Sequence, residues 1–236
     1  MKIIIPTCDK YRNILEANKY TTDVQGGKNL DVTVLGYKKP DFDMESWEFI
    51  SLGNDNGPGN FTNDITKFFD NFDDEYFIYG NDDMVVTNKI NLDFLNEILN
   101  EVKKIDNFGR MWLTQTDAKY YGGCNVIINK ENYQIGEIHQ NSDYRLSLQY
   151  SLWKTSYFKK YLIPDLNPWQ WETRSSAKND GYSILLPINN FVISAGHIMK
   201  RGKLLKNWQT GIYNDGTLNN NDINEVQKIL NKHNIS

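Results

Sequence analysis

The residues with the most chemistry to offer are two adjacent aspartates, Asp82 and Asp83, which follow the run Tyr76-Phe-Ile-Tyr-Gly-Asn81. Tyr76–Tyr79 is a continuous apolar stretch, the mark of a strand covered on both faces. In open α/β sheets ligands bind beyond the carboxyl ends of the strands, so the pair would stand where a ligand arrives. Neighbouring carboxylates repel unless a cation neutralises them. A hard divalent ion such as Mg²⁺ or Mn²⁺ takes oxygen ligands and shares them with phosphate. On these residues alone, turn-forming or capping aspartates explain the pattern equally well.

A second group is basic. Gly196-His-Ile-Met-Lys-Arg-Gly-Lys203 concentrates positive charge in a chain with 26 basic and 30 acidic residues. Lys200, Arg201 or Lys203 could meet the charge of a departing diphosphate; a solvated face is the alternative. His139 and His233 lie in a polar loop and in the tail and are given no role.

These residues need elements to hold them. Residues 2–5 form a short apolar run closed by Pro6, and strands are expected at Val32–Gly36 and 47–52. The turn-formers of 53–59 predict an exposed loop able to approach a ligand. A helix is expected over 11–20. Phe61, Ile65, Phe68, Phe69 and Phe72 recur at helical spacing and read as core, as do Phe94, Leu95, Ile98, Leu99 and Val102. Alternating strands and helices predict an α/β fold with a mostly parallel sheet flanked by helices. Further on, strands are expected at 111–114, 125–128 and 191–193, and a helix over 144–161. An aromatic loop is expected at 168–172, and a last helix opening at Asp222 with Glu225 as capping partner.

Composition sets limits. The 236 residues suffice for one substantial domain, and 39% apolar with 13% aromatic residues supply a core. The net charge of −4 argues against a general nucleic-acid binder. Two cysteines, Cys8 and Cys124, without pairing or metal-ligand spacing, fit a reduced, cytoplasmic setting. The N-terminal residues lack a secretory pattern, and no apolar run reaches bilayer length. Any membrane association would be peripheral. No sequence feature sets an oligomeric state.

Together, Pro6-Thr-Cys-Asp-Lys-Tyr11, the strand with its Gly-rich loop, and Asn81-Asp82-Asp83 resemble the GT-A glycosyltransferases, whose acidic DxD motif holds the metal that binds the donor diphosphate. Here the motif reads Asn-Asp-Asp. The resemblance implies Asp83 as metal ligand, with Asn81 beside it and Asp82 toward the ribose or donor sugar. It places Thr7, Asp9, Tyr11 and Arg12 near base and ribose, though Thr7 and Asp9 also suit helix capping. Gln149, Trp153 and Pro168-Trp-Gln-Trp-Glu172 are similar to bacterial and viral glycan-assembly transferases. That implies Glu172 as general base on the acceptor hydroxyl, and Trp169 and Trp171 as sugar-stacking surfaces; a packed Trp pair with a capping Glu is the alternative. His197 resembles a late metal-binding histidine of some GT-A enzymes; alone, it suits a structural role. Tyr120 and Tyr121 suit either an acceptor pocket or loop packing.

The expectation is one domain, 1–236, with a nucleotide-sugar half (1–104) and an acceptor half (105–236). It would use Mn²⁺ or Mg²⁺ to transfer a sugar from a nucleotide diphosphate donor to a hydroxyl of a glycan, glycolipid or glycoprotein, with inversion. Retention is expected instead if no carboxylate lies opposite the leaving group. A nucleotide-sugar nucleotidyltransferase would want a glycine in the first loop, and none is present. A non-catalytic carbohydrate-binding module would need neither paired carboxylates nor a base.

Overall fold

The computed structural model of the chain describes residues 1–200, 203–212 and 216–235. Its strands are β1 (Ile3–Pro6), β2 (Val32–Gly36), β3 (Glu48–Ser51), β4 (Tyr76–Tyr79), β5 (Met84–Val86), β6 (Phe108–Trp112), β7 (Cys124–Asn129), β8 (Gln134–Ile138), β9 (Ser151–Lys154), β10 (Ser183–Pro187), β11 (Ala195–His197), β12 (Met199–Lys200) and β13 (Lys203–Leu204). Its helices are α1 (Leu15–Gly26), α2 (Phe61–Phe69), α3 (Leu92–Val102), α4 (Thr155–Lys160), α5 (Pro168–Glu172) and α6 (Asn220–Lys232).

Nine strands make one sheet, in the order β3-β2-β1-β4-β9-β6-β10-β8-β7. All run the same way except β9 and β8, so the sheet is mostly parallel. Consequently the carboxyl ends of β1, β2, β3, β4 and β6 and the amino end of β9 share one edge. The sheet runs unbroken across residue 104.

Apolar side chains alternate to the two faces. Leu15 of α1 and Phe94, Ile98 and Val102 of α3 cover one face with Ile5, Val34 and Ile78. The other face packs Ile65 and Phe69 of α2, Phe158 of α4 and Trp171 of α5 against Ile4, Phe77 and Trp153. The phenylalanine stripe is core, as its spacing predicts: the Phe69 ring lies 4.6 Å from Phe158 and 4.9 Å from Phe77. Losing one such ring costs about 3–5 kcal/mol. Helix α6 packs Val226 and Leu230 with Ile14 and Ala17 at the start of α1. No helix among the described residues is long and apolar enough to cross a membrane.

Several expectations are corrected. Residues 144–161 are not one helix but a turn, strand β9 and the six-residue α4. The apolar residues of that stretch also fall on a two-residue period: Leu146, Leu148, Tyr150 and Leu152 are all buried. Pairing with both β4 and β6 satisfies the backbone of β9 on either side. The Thr155 hydroxyl, donating to the Asp74 carbonyl at 2.6 Å, fixes where α4 begins. Residues 168–172 form a short helix rather than a loop: Asn167 and Gln170 close a reciprocal capping box and Pro168 opens the first turn.

The expected strand at 191–193 is irregular, and the strand lies at β11; the fully buried β10 was not anticipated. The last helix is capped by Asn219, which accepts the Asp222 N–H, so Asp222 lies inside the first turn. Helix α1 begins at Leu15 rather than at residue 11.

Candidate functional site

Gly80 brings β4 to the shared edge. A Cβ there would press on Ile5 and the Tyr150 ring, each 3.0 Å away, so any larger residue would have to push these side chains aside. Asn81, Asp82 and Asp83 form the turn between β4 and β5. Its two flanks are held by one buried side chain of α1: Asn18 Nδ2 donates to the Asn81 carbonyl at 2.9 Å and the Met84 carbonyl at 2.7 Å. The same amide reaches the Tyr150 hydroxyl at 3.1 Å. Thr21 adds a second tie, its hydroxyl accepting the Val86 N–H at 3.1 Å.

Within that frame Asp82 points back to β1 and accepts the Thr7 hydroxyl at 2.8 Å. Its carboxyl is pushed up to about 7, first by burial and then by Asp83; the Thr7 hydrogen bond works in the opposite direction. Asp83 points to β11, where its Oδ1 lies 3.7 Å from His197 Nδ1. The antiparallel pairing of β5 with β11 sets this meeting, with His197 opposite Met84 and the Ile198 N–H donating to the Asp83 carbonyl at 2.8 Å. Gly196 permits it, since the Thr210 and Trp208 carbonyls occupy the space a Cβ would need. Thr7, Asp82, Asp83 and His197 thus form one continuous line.

His197 Nδ1 is buried and makes no hydrogen bond. An unsatisfied imidazole nitrogen beside a carboxylate suits a divalent cation. Two ligands on one ion with bonds of about 2.1 Å stand about 3–4 Å apart, and the Asp83–His197 separation lies in that range. Among the described residues no group of three or more His, Cys, Asp or Glu gathers for a metal. Asp83 and His197 could therefore offer an ion one carboxylate and one imidazole.

The other first-loop residues have protein partners. Asp9 accepts the Lys38 N–H at 3.0 Å, and its own N–H donates to Asp55 of the Gly-rich loop at 3.0 Å. Arg12 pairs with Asp41 at 3.1 Å and holds that carboxyl below its ordinary range. Tyr11 packs against the cluster between α1 and α6. These contacts tie together the loops that follow β1, β2 and β3. Lys200 and Lys203 face each other across the β12–β13 hairpin, three and six residues past His197, and both are exposed. Arg201 lies outside the described residues.

Glu172 lies at the end of α5 and accepts the Leu148 N–H at 2.6 Å, just before β9. Burial pushes its carboxyl above the ordinary range, while the Leu148 N–H, the Arg110 guanidinium and the Ser147 hydroxyl draw it down. Tyr79, buried at the end of β4, is raised well above a normal phenol by burial and by Asp82, Glu172 and Asp83. The acidic pair and Glu172 therefore act on one side chain at the same sheet edge. The two tryptophans part company. Trp171 is fully buried and its indole N–H donates to the Tyr161 carbonyl at 2.8 Å, so it cannot stack on a sugar, whereas Trp169 is 65% exposed.

Sequence reasoning missed Asn18 and Arg110. Each had a visible signal: an amide among the apolar residues of α1, and a charge inside the run 108–112.

No protein family and no curated protein matches the chain. Among solved structures, residues 1–349 of S. aureus TarS align over 81% of this chain and 58% of that one, at 13% identity and a TM-score of 0.48. Another TarS structure, in complex with UDP-GlcNAc, aligns at 14% identity and a TM-score of 0.48, over 81% and 56% of the two chains. The Streptococcus pneumoniae glycosyltransferase GlyE aligns at 12% identity and 0.35, over 67% and 35%. The chain thus spans less than two thirds of the TarS chains. With scores below 0.5, these likenesses carry no argument about activity, which is left to the site.

Proposed function

We propose that this chain is a divalent-metal-dependent glycosyltransferase that moves a sugar from a nucleoside diphosphate donor to a hydroxyl of a glycan, with inversion. The observation that carries the reading is the line Thr7–Asp82–Asp83–His197 at the carboxyl edge of the sheet. Like charges gathered where ligands bind, beside an unsatisfied imidazole nitrogen, suit a cation shared with a diphosphate.

Asp83 and His197 would hold Mn²⁺ or Mg²⁺, which supplies charge neutralisation for the diphosphate when bound. Asp82, anchored by Thr7, turns toward the ribose or sugar of the donor. Glu172 takes the proton of the acceptor hydroxyl as its oxygen bonds to C1 of the sugar. The bond from C1 to the diphosphate oxygen breaks with its electron pair on that oxygen, and Lys200 and Lys203 offset the new charge. The raised Glu172 carboxyl makes it a stronger base than an exposed glutamate. Trp169 presents an exposed ring three residues before Glu172 on α5, suited to an acceptor sugar.

Isothermal titration with UDP- and GDP-sugars, with and without Mn²⁺, tests the donor site, and release of nucleoside diphosphate on adding glycan acceptors tests turnover. Metal-dependent donor binding followed by diphosphate release is the expected result. Binding of free glycan alone, without metal, would replace this reading with that of a carbohydrate-binding module.

A further inference from the structure

Arg110 lies within β6 and is fully buried, where an unpaired guanidinium costs several kcal/mol. Its Nη2 donates to the Ser151 hydroxyl at 2.6 Å, while Nε and Nη1 have no hydrogen-bond partner. The guanidinium stacks on Trp112, 3.7 Å from the ring centroid, and lies 5.1 Å from that of Trp153. Trp153 in turn packs on Trp171, the residue before Glu172, with centroids 5.6 Å apart.

Glu172 meets the segment that precedes this Ser151 anchor. It is bonded to the Leu148 N–H and to Ser147, while the Ser151 hydroxyl that accepts from Arg110 donates to the Gln149 carbonyl at 2.6 Å. Residues 147–151 thus form a short strip with the carboxylate at one end and the guanidinium's anchor at the other. The titratable groups acting on Arg110 are Tyr121 after β6, Glu172 on α5 and Tyr157 on α4. Of these, Glu172 is the carboxylate. Tyr79 of β4 faces Glu172 as well as Asp82 and Asp83, and Tyr157 also meets the Arg145–Asp180 ion pair.

We propose that Arg110 is a positioning residue for Glu172: across the 147–151 strip its guanidinium supplies the countercharge that keeps the buried acid a carboxylate able to accept a proton. The catalytic meaning of this coupling rests on Glu172 being the base; the coupling itself does not. Burial lowers Arg110 to about 9, which leaves it charged at neutral pH, and Arg110 opposes the upward push of burial on Glu172.

The test compares Arg110→Met with Arg110→Lys in protein carrying ¹³C-labelled glutamate side chains. The Glu172 resonance is assigned by its loss in Glu172→Gln. In the Met variant the Glu172 titration midpoint is expected to rise by about one pH unit, and the acid limb of kcat/KM to move with it. The Lys variant keeps the charge and should stay near the wild type. An unmoved midpoint in the Met variant, or equal movement in Met and Lys, overturns the proposal. Should Arg110→Met fail to fold, the double variant with Glu172→Gln removes both charges and is expected to fold again; continued failure counts against the coupling. A Glu172→Gln variant that transfers sugar at the wild-type rate removes the base assignment, and with it the catalytic role of Arg110. An inactive Glu172→Gln beside an unresponsive Met variant removes Arg110 alone.

Discussion

The acidic turn after β4 and the Glu172 strip before β9 face the same sheet edge but handle buried negative charge in opposite ways. At the turn two carboxylates are adjacent and Asp83 raises the cost of ionising Asp82, with a hydroxyl and an unsatisfied imidazole nearby. At the strip a single half-buried carboxylate stands alone, with a backbone N–H and a guanidinium to offset the desolvation. On the proposed function the first arrangement takes its countercharge from an external cation. The second carries its countercharge in the chain. A site that binds a diphosphate with metal and a site that moves a proton differ in the same respect.

Removing the negative charge at each place separates the two. Asp83→Ala should lower turnover by about 10³-fold and abolish the metal dependence of donor binding. Its thermal midpoint should hold or rise, because one of two repelling carboxylates is gone. Glu172→Gln should leave metal-dependent donor binding intact while transfer falls by about 10²- to 10⁴-fold. Donor titration beside diphosphate release reads both outcomes. If Glu172→Gln weakened donor binding as severely as Asp83→Ala, the two places would form one site, and the contrast would fail.

The turn was legible in sequence because a buried apolar strand running into Asp82 and Asp83 is a local pattern, and strand β4 falls where that pattern puts it. The strip was not. Its apolar residues fit both a helical and a two-residue period, and only pairing with β4 and β6 decides for a strand. The inward turn of Trp171 depends on contacts with Trp153 and Tyr161, which lie on other elements. His197 was visible as a residue, but its approach to Asp83 depends on the β5–β11 pairing, which joins segments more than a hundred residues apart. Local periodicity carried the first half of the fold; long-range pairing decided the second.

A smaller effect is expected where the turn is held rather than where it acts. Asn18→Ala leaves the Asn81 and Met84 carbonyls without their buried donor, at a cost of about 1–3 kcal/mol. The aspartates remain, so maximal turnover at saturating Mn²⁺ should change little, while the Mn²⁺ concentration for half-saturation should rise. Urea unfolding and a metal titration read the two effects separately. Equal loss of kcat with no change in metal requirement would make Asn18 a support for the fold alone.

The smallest effect concerns the strip and its sign is fixed by linkage. A carboxyl raised in the folded state holds a proton that the unfolded chain has already released. Glu172 therefore contributes its full stability below the ordinary glutamate value, 4.5, and loses it as pH rises toward the folded value. The slope is at most about 1.4 kcal/mol per pH unit. The stability difference between wild type and Glu172→Gln, measured by urea unfolding from pH 4 to 8, should turn against the wild type as pH rises and then level off. The turn adds a pH dependence through Asp82, but that contribution is common to both proteins and cancels in the difference. A flat difference across the range would mean that the guanidinium and the Leu148 N–H fully offset burial, leaving Glu172 with the basicity of an ordinary surface carboxylate.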